Sequence, residues 1–162
     1  MTTERTEIAE KNKYCSTKDS VISVPLWLEK MLRMLETNEI TETIIGAAIR
    51  VHKELGPGLL ESAYQECLFF ELQQADVQVE KEKPLPLIYR NVKMDCGYRI
   101  DLLVEEEVVV EIKAVKAIED IHIAQTLAYM KLTNTEIGLI INFNVTQLTK
   151  GVKRLINKYY EE

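Results

Sequence analysis

The sequence predicts a mixed α/β (α+β) sandwich in which helices flank a central sheet built around an antiparallel hairpin. Three observations point to it. Two short runs, residues 97–104 and 108–113, alternate with period two and are rich in β-branched residues. Apolar residues recur at helical spacing on both sides of that pair. The order of helices, antiparallel hairpin, crossover helix, further strand and covering helix implies such a sandwich.

The elements follow in order. Residues 1–37 form an N-terminal extension whose first twenty positions are polar and lack periodicity. Pro25 opens a short helix over 26–35, and its apolar positions, Trp27 among them, suit docking on the protein's own domain or on a partner. Packing on its own domain is the commoner outcome for such a face. The domain proper spans 38–162. Its first helix carries Ile40, Ile44, Ile45, Ala48, Ile49 and His52 and stops at Gly56-Pro57-Gly58. A second helix over about 59–74 is apolar through Leu60, Ala63, Tyr64, Cys67, Leu68 and Leu72. Strand candidates lie at 77–79 and 85–89, where Pro84 and Pro86 demote the latter to an edge or irregular strand. After a turn at Asn91 come the two central strands, a helix over 120–132, a strand over 137–142 and a terminal helix over 145–160. That last helix is expected to bury Val152, Leu155, Ile156 and Tyr159 and to present Lys150, Lys153, Arg154 and Lys158.

The central hairpin carries charges that packing alone explains poorly. Alternation puts Arg99, Asp101 and Leu103 on one face of the first strand, and Glu111 and Lys113 on one face of the second. If Val104 pairs with Val108, Asp101 faces Glu111 and Arg99 faces Lys113, with Glu105-Glu106-Glu107 as the turn. A slip of one residue would send Glu111 to the wrong side. Three-residue turns usually contain a glycine and this one has none, so a bulge is an alternative. Two carboxylates and a lysine on one face are what a divalent metal needs to hydrolyse a phosphodiester; a surface ion pair is the plainer explanation.

Composition narrows the classes. With 162 residues, 46% hydrophobic and 28% charged, the chain has the size and balance of one globular domain. No apolar run approaches a membrane span and the N-terminus lacks the apolar core of a secretory signal, so a cytoplasmic protein that does not enter a membrane is expected. Cys15, Cys67 and Cys96 have neither disulfide-framework nor zinc spacing, and Cys67 reads as a small core residue. A net charge of −6 argues against coating nucleic acid by bulk electrostatics, but not against a local basic rim.

Other residues carry two readings each. Glu61 opens the second helix, where a carboxylate favours the positive helix end, and it also suits a metal at the sheet edge; Tyr64 lies one turn on. His122, Gln125 and Tyr129 put three hydrogen-bonding side chains on one face of the crossover helix, either a solvated stripe or groups that orient a phosphate. Lys150, Lys153 and Arg154 are a solvated face or a phosphate-contacting stripe. His52, inside an apolar stretch, is read as structural. Neither a glycine-rich phosphate loop, a GxSxG elbow nor a Cys/His pair is present.

From about Ile40 to Ile156 the chain resembles the bacterial GxxExxY protein family, within the PD-(D/E)XK nuclease superfamily. Three segments carry the resemblance: residues 46–64 with Gly58, Glu61 and Tyr64 in the GxxExxY spacing, residues 95–104 with Arg99 and Asp101, and residues 138–144. It implies a restriction-endonuclease-like core with Asp101, Glu111 and Lys113 as acidic pair and lysine. Gln125 and Tyr129 match the Gln-x-x-x-Tyr element of the RecB-type exonuclease branch, and Glu61 the acidic residue of the first core helix. The expected activity is Mg²⁺- or Mn²⁺-dependent hydrolysis of nucleic acid, DNA ahead of RNA. Asp101, Glu111, the Ile112 carbonyl and Glu61 would serve the metal, and Arg99, Tyr64, Lys150, Lys153 and Arg154 the substrate. A catalytically silent nucleic-acid-binding or regulatory module on the same fold is the alternative, and a homodimer is left open.

Overall fold

The computed structural model describes residues 25–94 and 97–157. Helix α1 (Leu26–Leu55) and helix α2 (Glu61–Gln74) precede strands β1 (Val79–Pro84), β2 (Leu87–Tyr89), β3 (Val92–Met94), β4 (Arg99–Val104) and β5 (Val108–Lys113). Helix α3 (Asp120–Thr133), strand β6 (Ile137–Asn142), a 3₁₀ turn at Leu148–Lys150 and strand β7 (Val152–Ile156) follow. Among the described residues the main sheet has five strands in the order β1-β4-β5-β6-β7. β5 and β6 run parallel, joined by α3 as the crossover, and the other neighbours are antiparallel.

Each face of this sheet holds its own apolar layer. On one, Leu102, Val104, Val110, Ile112, Leu139 and Ile141 pack with Ile44, Ala48 and Val51 of α1 and with Tyr64, Leu68 and Leu72 of α2. On the other, Leu103, Val109, Ile140 and Leu155 meet Tyr129 and Met130 of α3. β6 is buried along its whole length, as its unbroken apolar run requires of a strand covered on both sides. Cys67 packs at the margin of the first layer, and buried His52 sits 2.8 Å from the Val145 carbonyl through Nε2, the structural part expected of it.

The hairpin register is the expected one, with Val104 opposite Val108. No bulge is needed at its turn, because Glu105 and Glu106 themselves take left-handed conformations, φ 51° and 58°. Glu105 is held by Gln78, whose N–H donates to its Oε1 at 2.8 Å, and Glu107 Oε2 lies 2.9 Å from Thr37 Oγ1.

Three elements differ from expectation. The short helix at 26–35 and the helix from Asn38 are one continuous helix. Glu36-Thr37-Asn38 reads as a break, but Thr37 Oγ1 donates to the Arg33 carbonyl and Thr41 Oγ1 to that of Thr37, so these hydroxyls stay inside the helix. Its first turns do not pack on the domain: Leu26, Trp27, Met31 and Leu35 are exposed. Residues 92–94, assigned to no element above, form β3, which pairs with β2 in a separate hairpin.

The third difference is a correction: residues 152–156 form an edge strand and not part of a terminal helix over 145–160. The Val-Lys-Arg-Leu-Ile pattern satisfies either period over so short a span. Gly151 decides the local course, because a Cβ there would collide with the Asn142 carbonyl at the point where the Asn142 N–H donates to Gly151 O at 2.9 Å. Lys158 and Tyr159 of the expected helix lie outside the described residues.

Candidate active site

Glu111 and Lys113 alternate with Val109 onto the α3 side of β5, and Asp101 meets them from β4 at the end of the hairpin ladder. The β4–β5 ladder runs from Val104–Val108 to Leu102–Val110, and Asp101 and Glu111 come just beyond its last pair; Val109 belongs to the apolar layer of Tyr129. Asp101 Oδ2 accepts the Ile112 N–H at 2.7 Å, a bond across the open end of the hairpin. Lys113 Nζ lies 2.7 Å from Glu111 Oε1. Glu111 is only 3% exposed, and its other oxygen, Oε2, is buried without a hydrogen-bond partner.

These contacts set the charge states. Burial pushes the Glu111 carboxyl up to about 7, with the Asp101 charge adding to it and Lys113 opposing. Burial likewise raises Asp101 above its ordinary range, against the Ile112 N–H and the Lys113 ammonium, which lower it. For Lys113 burial alone would lower the pKa, but the hydrogen bond to Glu111 and the charges of Glu111, Glu61 and Asp101 together raise it. The site is therefore two carboxylates that resist sharing their charge, with one cation beside them.

Such a site fits a hard divalent cation on its donor chemistry. A buried, unpartnered carboxylate oxygen is costly unless something positive meets it, and oxygen donors are what Mg²⁺ and Mn²⁺ prefer. Among the described residues no three His, Cys, Asp or Glu side chains converge to form a ready-made cage. Glu61, expected as a third acidic ligand, is not brought into such a set. Its Oε1 instead accepts the Ala114 N–H at 3.0 Å, so α2 clasps the chain just beyond Lys113.

The remaining expected residues divide. Tyr64, expected at the substrate, is fully buried: its ring stacks on Phe143 with centroids 4.4 Å apart, and its hydroxyl donates to Gly56 O and accepts from Leu59 N. It ties down the turn that starts α2 and reaches no substrate. Gln125 Nε2 donates to Tyr129 Oη at 2.9 Å on α3, and Tyr129 packs in the layer of Val109 and Ile140. His122 closes a capping box, its Nδ1 accepting the Glu119 N–H. Arg99 is exposed and lies 3.4 Å from Glu82. The basic stripe is undone by the strand, which sends Lys153 and Arg154 to opposite faces, and Arg154 donates to Asn38 Oδ1 at 2.8 Å. Lys150 is exposed on the 3₁₀ turn.

Two residues at the site were not singled out in the sequence. Gln65, buried, donates to the Asp101 carbonyl at 3.1 Å. Asn142, also buried, accepts from Val115 N and Asn144 N and donates to Val115 O. Each is a polar residue in an apolar run, Gln65 between Tyr64 and Leu68 and Asn142 after Ile141, and that was the available signal.

A model of the PD-(D/E)XK nuclease superfamily matches residues 38–155, from the middle of α1 into β7. That superfamily is typically one of nucleases, which act on nucleic acid and generally use divalent metals. Neither a curated protein nor a solved structure matches the chain significantly. No helix among the described residues is long and apolar enough to cross a membrane.

Proposed function

Because the chain belongs to the PD-(D/E)XK nuclease superfamily, we propose that it is a metal-dependent nuclease of the GxxExxY type whose site is Asp101, Glu111 and Lys113. The observation that carries the reading is the buried, unpartnered Glu111 Oε2 beside Asp101 and Lys113. Asp101, Glu111 and the Ile112 carbonyl would hold Mg²⁺ or Mn²⁺. The cation supplies Lewis-acid activation of water and stabilises charge on the phosphate. Lys113 brings a fixed ammonium against the phosphate oxygens that become more negative. Gln125, already donating to Tyr129, has a second N–H for the scissile phosphate, and exposed Arg99 reaches a neighbouring one. Glu61 and Tyr64 act as positioning residues, one on the backbone after Lys113, the other on the turn before α2.

The test is cleavage of labelled linear, circular, single-stranded and RNA substrates with and without Mn²⁺. Asp101→Ala, Glu111→Ala and Lys113→Ala are expected to abolish turnover, by 10³-fold or more on the order of what loss of a charge-stabilising group costs, while the circular dichroism stays native. Full activity in these variants overturns the site. Binding of nucleic acid without turnover by the wild type points instead to a silent module on the same fold.

A further inference from the structure

The β2–β3 hairpin stands apart from both apolar layers. Among the described residues its strands pair with each other alone, Leu87 with Met94, Ile88 with Lys93 and Tyr89 with Val92. Arg90 and Asn91 turn the chain with φ 48° and 64°, the left-handed pair of a tight hairpin turn. A two-stranded ribbon is marginal alone in water, and this one keeps Ile88 66%, Tyr89 56% and Val92 55% exposed. An apolar ribbon left open to solvent suits a partner.

The charge says which kind. Arg90 and Lys93 are the hairpin's charged residues, and no acid lies between Leu87 and Met94, in a chain whose net charge is −6. Arg90 also sits over the Tyr89 ring at 5.3 Å, an aromatic platform with a cation attached. The ribbon's position matches. Two residues before the hairpin the Leu85 N–H donates to the Tyr98 carbonyl at 2.8 Å; Tyr98 is half-exposed with its ring centroid 6.4 Å from that of Tyr129, and Asp101 follows three residues later. The hairpin thus springs from the margin of the face that holds the carboxylates.

We infer that the β2–β3 hairpin grips single-stranded nucleic acid beside the cleavage site: Tyr89 lies on one face of the ribbon and Lys93 on the other, so the strand crosses the Arg90 tip, with a base stacked on Tyr89 and phosphates met by Arg90 and Lys93. This rests on the nuclease reading and names the strandedness and the holding element. Stacking on an exposed tyrosine needs a free base face, which a duplex withholds, so the unpaired strand is the form recognised. Phosphates account for the cations, and bases for the exposed ring.

The test measures binding of a labelled 20-nucleotide single strand, and of the duplex of the same sequence, by anisotropy on the full chain carrying Lys113→Ala so that nothing is cut. Tyr89→Ala is expected to weaken single-strand binding roughly five- to 150-fold, the range of one lost stack, while Tyr89→Phe retains it. Arg90→Gln with Lys93→Gln is expected to make the salt dependence of log K shallower by about 1.4. In the otherwise wild-type chain the same changes raise KM and leave kcat. If the wild type cuts nucleic acid but the hairpin variants bind and cut like it, the hairpin inference falls and the nuclease reading stands. Equal losses on duplex and single strand overturn the strandedness. A dimer in sedimentation that Tyr89→Ala converts to monomer, with nucleic-acid binding unchanged, assigns the ribbon to a second copy and overturns the proposal. A wild type that neither binds nor cuts overturns the nuclease reading itself.

Discussion

Glu111 concentrates the cost of the site in one side chain. Its carboxyl, near 7 in the fold against an ordinary value of 4.5, keeps its proton between those pH values while the unfolded chain has released it. The unfolded state then binds fewer protons, so stability falls as pH rises from about 4.5 to about 7 and levels off above. The full swing is on the order of 3 kcal/mol. Denaturant titrations of metal-free protein at pH 5 and pH 8 should show that loss, and Glu111→Gln should show most of it gone. A second residue-scale expectation separates charge from geometry at Glu61. Glu61→Gln keeps an oxygen to accept the Ala114 N–H, whereas Glu61→Ala cannot. If Glu61 only positions the strand end, Gln retains kcat within a few-fold and Ala lowers it by tenfold or more, about 1.4 kcal/mol; equal losses in both would mean that its charge acts on the reaction.

At the scale of elements, the site depends on how the ends of β5 and β6 are tied. Asn142 satisfies the Val115 N–H and carbonyl and the Asn144 N–H from one buried side chain, just where the chain leaves Lys113 for α3. Asn142→Ala leaves those backbone groups unpaired, and a loss of about 1–3 kcal/mol for each one that stays dry is expected. Urea unfolding measures it, and an unchanged midpoint would mean water replaces the amide. The same elements show what the sequence made legible. The hairpin register followed from the alternation of its two runs, which set Val104 opposite Val108, and β6 followed from an apolar run that only a doubly covered strand explains. The continuity of α1 was not legible, since Thr37 and Asn38 mark helix ends as often as they bond back within one. β7 was missed for a different reason. Five residues span less than two helical turns, and the Gly151 contact with the Asn142 carbonyl that fixes their course is tertiary. Tyr64 was misassigned because a motif spacing carries no record of burial, and its ring lies flat on Phe143, seventy-nine residues away in sequence.

For the whole molecule the sign of the charge is the governing fact. At −6, with a pair of carboxylates at its centre, the protein repels a polyphosphate at long range, so affinity must come from a few placed cations. Lys113 at the site, Arg99 near it and Arg90 and Lys93 on the hairpin are the four that the proposed strand meets; Arg154 is engaged with Asn38, while Lys153, paired with Ile140 in the row that reaches Glu111, stands two strands away on the same sheet face. Four phosphate contacts at about 0.7 each give a slope of log K against log salt near −3 for a single strand. A protein that coated nucleic acid through its whole surface would be far steeper. Divalent metal adds positive charge where repulsion is strongest, so binding measured at equal ionic strength should tighten with Mg²⁺ in the wild type and much less in Asp101→Ala. Anisotropy titrations across monovalent salt test both statements. A slope steeper than about −6 would place the contacts over a much wider basic surface, and an Asp101→Ala response to Mg²⁺ equal to the wild type's would remove the carboxylates as the seat of the cation.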